Sequence, residues 1–215
     1  MCILGYSVHM MNTEREREDA LTLEILDVIE KQNDVSQRHL ARHLGVALGL
    51  ANSYLKRCAR KGLIKISEAP ANRYLYYLTP KGFAEKSRLT AQYLSHSLSF
   101  YRKAGESCRQ VFRVCEQNGW QRLLLCGVSD LAEIATVRAN EHASLDIIGF
   151  CDTGSERHQF LGRPVWRNST EADAHDACVL TDLLDPRTSY DQLASLMDRE
   201  RILVPDVLGL EAPNL

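Results

Sequence analysis

The sequence predicts an α/β chain in two parts, a helical front carrying a β-hairpin and a rear in which parallel strands alternate with helices. Three observations carry this prediction. Before residue 80, three helix-length apolar repeats are followed by two short strand-like runs. After residue 120, brief apolar runs of strand length alternate with helix-length segments, the spacing of a parallel sheet with crossovers. The charge divides at nearly the same place. From Ser36 to Lys103 thirteen basic residues face two acidic ones, a surplus of eleven, whereas from Glu106 onward ten basic residues oppose eighteen acidic. The formal net charge of −2 conceals this asymmetry. A segment so basic inside a weakly acidic chain points to a polyanionic partner.

Composition bounds the remaining classes. With 45% hydrophobic and 25% charged residues over 215 positions, the chain is neither disordered nor collagen-like. No apolar run approaches the roughly 18 residues needed to cross a bilayer, so no membrane partner is expected. Met1 to Val8 lacks a basic leader region and makes a poor secretory signal. Met10 and Met11 just before the first charged helix mark residues 1–12 as an N-terminal extension. The seven cysteines are scattered without a C-x-x-C pair, so neither structural zinc nor a disulfide scaffold is expected. They read as buried packing residues of a reducing, cytoplasmic protein.

In the front part, residues 13–80, Glu18 to Lys31 reads as an amphipathic helix. Ser36 caps a second, Gln37 to Leu44, with Leu40, Ala41 and Leu44 on its apolar face, and Gly45 ends it. A third runs from Leu48 to Lys61, with Leu48, Ala51, Leu55 and Cys58 inward and Asn52, Ser53, Lys56, Arg57 and Arg60 outward. Helix, tight turn and helix with a polar, basic outer face is what a major-groove reader needs. Leu63 to Ile66 and Arg73 to Leu78 then form a hairpin across a turn at Glu68–Asn72, a wing with Asn72 and Arg73 at its tip. Asn52 and Ser53 are placed to meet base edges, because they both donate and accept. Lys56, Arg57 and Arg60 are placed to meet phosphate, as is Arg38 on the preceding helix. His39 and His43 stand four apart with no third ligand near, and read as surface histidines.

These residues carry a resemblance. Ser36-Gln37-Arg38-His39-Leu40-Ala41-Arg42-His43-Leu44-Gly45-Val46, then Lys61-Gly62-Leu63-Ile64, then Tyr77-Leu78-Thr79-Pro80-Lys81-Gly82 resemble MarR-type winged-helix regulators. Phe83 to Thr90 resembles in particular the regulators found with exopolysaccharide biosynthesis clusters. The resemblance covers about residues 20–105 and implies sequence-specific binding of double-stranded DNA by a homodimer. One position departs from it: the helix cap, ordinarily Ser or Thr, is Ala47, which forfeits about 1 kcal/mol of capping.

Thr79 and Pro80 start a linking helix, residues 81–118, that Gly119 stops. Ser87, Ala91, Leu94, Leu98, Tyr101, Gly105, Cys108, Phe112 and Cys115 follow along it in three- and four-residue steps, a heptad seam expected to hold the dimer. The alternative is that the stripe packs on the chain's own domains.

In residues 119–215, Arg122 to Cys126 reads as a strand running into Gly127-Val128-Ser129-Asp130 and a helix, Leu131 to Ala143. The strand Asp146 to Asp152, a glycine-containing turn, the strand Ala177 to Thr181, the helix Ser189 to Asp198 and the strand Arg201 to Val204 follow. Ligands on such sheets sit outside the carboxyl ends of the strands. The phosphate-loop pattern G-x-G-x-x-G is degenerate here as Gly127-Val128-Ser129-Asp130-Leu131-Ala132. Ser129 adds bulk where a pyrophosphate would approach, and Asp130 sets negative charge at the helix start. Asp152 ends its strand where a ribose hydroxyl would be accepted. Gly127, Ser129, Asp130 and Asp152 are therefore the ligand candidates, and the altered loop counts against NAD. Cys126 and Cys151 flank the same pocket at the strand ends, as a thiol sensor or, more commonly, as plain buried packing. Trp166 and Arg167 either line it or cover the sheet.

A second resemblance lies here. Cys126 to Ala135, Ile148-Gly149-Phe150-Cys151-Asp152 and Phe160-Leu161-Gly162-Arg163-Pro164-Val165 look like the Rossmann-like module attached to polysaccharide-biosynthesis enzymes, and in outline like the sensor half of Rex repressors. The likeness covers about residues 120–210 and implies a pocket for a small-molecule effector: a nucleotide, nucleotide-sugar or coenzyme.

Together these readings predict a dimeric transcriptional regulator whose rear part senses a small molecule and passes the signal through the linking helix. The chain is expected not to be an enzyme, since no G-x-S-x-G, Tyr-x-x-x-Lys, H-E-x-x-H or paired catalytic carboxylates appear near Gly127. The alternatives are a nucleotide-sugar enzyme, or a scaffold, using the winged helix as an interaction module.

Overall fold

The computed structural model describes residues 14–70 and 73–210. The chain divides into two compact units, residues 1–97 and 98–215, with the division inside one long helix.

In the first unit α1 (Glu14–Lys31), α2 (Gln37–His43) and α3 (Leu48–Arg60) precede a two-stranded antiparallel hairpin, β1 (Ile64–Ala69) and β2 (Arg73–Leu78). Ile64 lies opposite Leu78 and Ala69 opposite Arg73. Strand β1 thus runs three residues further than the sequence predicts, because cross-strand pairing carries Ser67, Glu68 and Ala69 into the ladder. Ile25, Leu26, Ile29, Leu40, Leu55, Cys58, Leu63 and Tyr76 form the core. Tyr76 pins the hairpin to the helices: its N–H donates to the Asn33 carbonyl at 2.8 Å, and its hydroxyl accepts from Gln37 at 3.3 Å. Helix α1 departs from a simple amphipathic pattern, with Ala20 through Leu26 buried without a break. Leu48, expected to face inward, is 41% exposed, since the first turn of α3 projects beyond the core.

Helix α4 (Pro80–Gln117) belongs to both units. Thr79 starts it: its hydroxyl accepts from the Gly82 N–H at 3.0 Å and donates to the Gly62 carbonyl at 2.6 Å. The approach is close enough that a Cβ on Gly82 would lie 2.0 Å from the Leu63 carbonyl oxygen. The predicted seam splits in two. Gly105, Cys108, Phe112 and Cys115 are buried, the last three within the core of the second unit. Ser87, Ala91, Leu94, Leu98 and Tyr101 are exposed.

The second unit is a six-stranded sheet in the order β5-β6-β4-β3-β7-β8. Strands β3 (Arg122–Cys126), β4 (Asp146–Cys151), β6 (Arg163–Trp166), β7 (Ala177–Leu180) and β8 (Ile202–Leu203) run parallel, and β5 (Gln159–Phe160) is an antiparallel edge. From β3 the chain winds out through β4 and β6, then returns to the other side of β3 for β7 and β8, the Rossmann-like order. Strands β5 and β6 replace the glycine-containing turn of the sequence prediction; they are too short to show a two-residue period. Alternation sorts the apolar strands between two faces. Leu123, Leu125, Ala177, Val179 and Leu203 pack with α5 (Asp130–Ala139) and the end of α4, while Leu124, Cys126, Cys178, Leu180 and Ile202 pack with α6 (Pro186–Leu196). Burial on both faces is what makes these strands read as unbroken apolar runs.

Candidate nucleic-acid interface and ligand cleft

On the first unit the outer face of α3 presents Ser53, Lys56 and Arg60, all exposed and spaced so that they line one stripe. Arg38 is exposed on α2. Two predicted contacts are placed differently. Arg57 forms an ion pair with Glu18 on α1, which raises its pKa and commits its charge within the unit. Asn52 is half-buried, and its Oδ1 is fully enclosed without a hydrogen-bond partner among the described residues. The side chain of Arg73 and the whole of Asn72 lie outside the described residues. The basic surplus is reduced further by α1, where Asp27 and Glu30 hold Lys86. Helix α3 begins at Ala47 with no side-chain cap, so its first N–H groups stay open. Leu50, which sequence reasoning assigned to neither face, is 46% exposed beside them. Its signal was its place outside the Ala51-Leu55-Cys58 repeat.

On the second unit a cleft with about 70 Å³ of free space opens outside the carboxyl ends of β3, β4 and β7. This is the topological switch point, where ligands of open α/β sheets bind. Gly127 and Asp152 line it with Arg167 and Asp182, and Ser189 and Gln192 of α6 close one side. Gly127 is required: its φ is +110°, and a Cβ would meet the Asp182 backbone nitrogen at 2.4 Å.

The loop after β3 uses its first two amides and the Ser129 hydroxyl within the unit. The Gly127 N–H donates to the Cys151 carbonyl at 2.8 Å, and the Val128 N–H to Asp152 at 2.9 Å. Ser129 caps α5 by accepting from the Ala132 N–H at 3.3 Å, while its hydroxyl donates to the Thr181 carbonyl at 2.5 Å. Thr181 in turn donates to the Gly127 carbonyl at 2.7 Å. Asp152, predicted to accept ribose hydroxyls, accepts instead from Val128 and, through its other oxygen, from the Gly154 N–H at 2.9 Å. Asp130 is exposed at the start of α5. A pyrophosphate laid on this loop would meet the carboxylates of Asp130 and Asp152 and, at Gly127 and Val128, amides already occupied. Thr181 and Asp182 were missed in the sequence; their signal was their place just past a buried strand at a sheet edge. Trp166 lies over Gly149, where a Cβ would come within 2.5 Å of its ring, and Arg167 is the cation of the cleft.

Comparison with known proteins matches residues 18–65 to the family model of winged helix-turn-helix DNA-binding domains. No curated protein matches the sequence. Among solved structures, the PcaV transcriptional regulator of Streptomyces coelicolor is 21% identical with a TM-score of 0.35, over 37% of this chain and 57% of that one. ZitR of Lactococcus lactis, a zinc-responsive MarR family member, is 23% identical with a TM-score of 0.33, over 40% of this chain and 60% of its own. The chain thus spans less than two thirds of these regulators. Human N-acetylserotonin methyltransferase, solved with SAM, aligns over 94% of this chain and 76% of its own at 13% identity and a TM-score of 0.34.

That last match corrects the expectation that the chain is not an enzyme. Group transfer between two bound substrates can run on positioning alone, and a search for nucleophile, triad and metal motifs is blind to it. At this identity no activity carries over. What the family model and the geometry give together is narrower: residues 18–65 form a winged helix-turn-helix domain of the DNA-binding kind.

Proposed function

We propose that this chain is a transcriptional regulator that binds double-stranded DNA through α3 and the hairpin, and whose second unit binds a small molecule. The observation that carries the reading is the exposed stripe Ser53, Lys56 and Arg60 on the second helix of a helix-turn-helix. A helix of that kind enters the major groove, its cations meeting phosphate and its small polar side chains meeting base edges. The open start of α3 adds donors for a phosphate oxygen. The chain acts as a homodimer, supported by the exposed apolar residues Leu94 and Leu98 along α4. The ligand is of the nucleotide or nucleotide-sugar kind, with its phosphate against Arg167 rather than on the loop after β3. Exopolysaccharide genes are the first operators to test.

Titration of labelled promoter DNA over a range of salt tests the central reading. Replacing Lys56 and Arg60 with alanine together weakens binding at least about tenfold and makes the slope of log K against log salt shallower by about two. Arg57→Ala leaves that slope unchanged, because its charge already faces Glu18. Equal binding of promoter and random DNA, or a slope indifferent to Lys56 and Arg60, refutes it. Light scattering of Leu94→Glu with Leu98→Glu tests the dimer, which falls to monomer.

A further inference from the structure

At the floor of the second unit's cleft, three cysteines from three neighbouring strands come together. Cys126 ends β3 and Cys151 ends β4, and the two are direct partners in the parallel register. Their sulfurs lie 2.9 Å apart, the Cys151 thiol donating to Cys126. Both line the cleft. Cys178, partnered with Leu124 on β7, packs on the same face of the sheet. Sequence reasoning favoured plain burial for these residues. Plain burial would be met by any small apolar side chain, and it does not account for two thiols aligned at an open strand end.

We propose that Cys126 and Cys151 form a peroxide-sensitive dithiol that closes to a reversible disulfide at the base of the loop after β3. Adjacent strands stand about 4.7–4.9 Å apart, within the Cα separations of about 4.4–6.8 Å that a disulfide spans. One thiol takes an oxygen atom from hydrogen peroxide as the oxygen–oxygen bond breaks, giving a sulfenic acid and one water. The second sulfur attacks it; the sulfur–sulfur bond forms, the sulfur–oxygen bond breaks, and the leaving hydroxide departs with the second thiol's proton as another water. Two thiols and one peroxide become one disulfide and two waters.

The third cysteine packs beside the pair and is not part of the bond. Burial pushes the Cys126 thiol well above its ordinary value, which makes it a poor nucleophile by itself. Contacts with Cys126 and His175 lower the Cys178 thiol despite its burial.

The chain itself provides the assay. Trypsin cuts after Arg122, Arg138, Arg157, Arg167 and Arg187, placing Cys126, Cys151 and Cys178 on separate peptides. Full-length protein is treated with hydrogen peroxide, its remaining thiols are blocked with a maleimide, and the digest is analysed by mass spectrometry without reductant. The expected product joins the Cys126 and Cys151 peptides, disappears with dithiothreitol, and is absent from Cys126→Ser and Cys151→Ser. It persists in Cys178→Ser, because the bond joins only Cys126 and Cys151. Native protein that keeps both thiols open to the maleimide, or that links Cys178 in place of either, overturns the proposal. So does conversion to sulfinic acid without a cross-link. None of these outcomes depends on DNA binding or on the ligand of the cleft.

Discussion

The two units each set a helix start beside a turn, and they differ in the side-chain cap and in the loop before it. Helix α3 begins at Ala47 with no side-chain cap and exposed residues around it. Helix α5 begins at Ser129, which caps the Ala132 N–H, while the preceding loop is tied to β4 through Cys151 and Asp152 and to β7 through Thr181. At α3 the third amide, Leu50, reaches only the Ala47 carbonyl at 3.0 Å; at α5 the third amide, Ala132, reaches the Ser129 hydroxyl, and the loop before it spends the Gly127 and Val128 amides on β4 and Asp152. Sequence patterns of the phosphate-loop kind register glycines and spacing but not whether the amides are occupied. The lesson is that an anion site depends on unpaired donors, and pairing is a property of the fold.

The strongest way to break the comparison is to force the packed loop open. In Gly127→Ala the new Cβ meets the backbone of Asp182, which has no flexible end to give way, at a φ that alanine rarely adopts. A loss above about 3 kcal/mol is expected in denaturant unfolding followed by a probe of the second unit. Gly82→Ala does the corresponding damage to the first unit, against the Leu63 carbonyl that anchors Thr79. Each substitution should leave the other unit's transition in place. A single transition lost in both variants would show that the units do not unfold independently.

The next test exchanges the two starts. Ala47→Ser supplies the missing cap and stabilises the first unit by about 1 kcal/mol, read as a higher midpoint at unchanged m. Ser129→Ala removes both the α5 cap and the bond to Thr181, and costs about 1–2 kcal/mol. Equal and negligible effects would mean that neither start depends on its cap.

How far the sequence led follows from the range of each interaction. Helices α2 and α3 were legible to within a residue at most ends because caps and glycines act over one turn. Strands β3, β4 and β7 were legible because burial on both faces leaves continuous apolar runs. Strands β5 and β6, of two and four residues, carry no period to detect. The stripe on α4 was visible as a repeat, but its partner was not: Phe112 and Cys115 meet the sheet of their own unit, whereas Leu94 stays exposed, on the same spacing. Arg57 shows the same limit. Its place on the outer face of α3 was readable, and its ion pair with Glu18, 39 residues away, was not.

The smallest expected effect distinguishes how the units hold their carboxylates. Burial raises the pKa of Asp27, but hydrogen bonds and charge from Lys31 and Lys86 outweigh it, so the folded value falls below the ordinary 3.8. Asp176 is lowered chiefly by the backbone N–H groups of Arg122 and Gln121, which donate to it at 2.9 and 2.8 Å. In both cases the unfolded chain binds the proton more readily. The stabilisation is therefore complete above the unfolded value and is lost as pH falls through the folded one. Asp27→Asn and Asp176→Asn should each flatten the acid limb of the stability curve below about pH 4. The Asp27 contribution, from ion pairs with Lys31 and Lys86 at a carboxylate 36% exposed, is under about 1 kcal/mol and shrinks with added salt. The Asp176 contribution comes from fixed amides at contact distance and keeps most of its size in the same salt. Equal salt sensitivity of the two would show that long-range charge, rather than the partner's chemistry, sets both values.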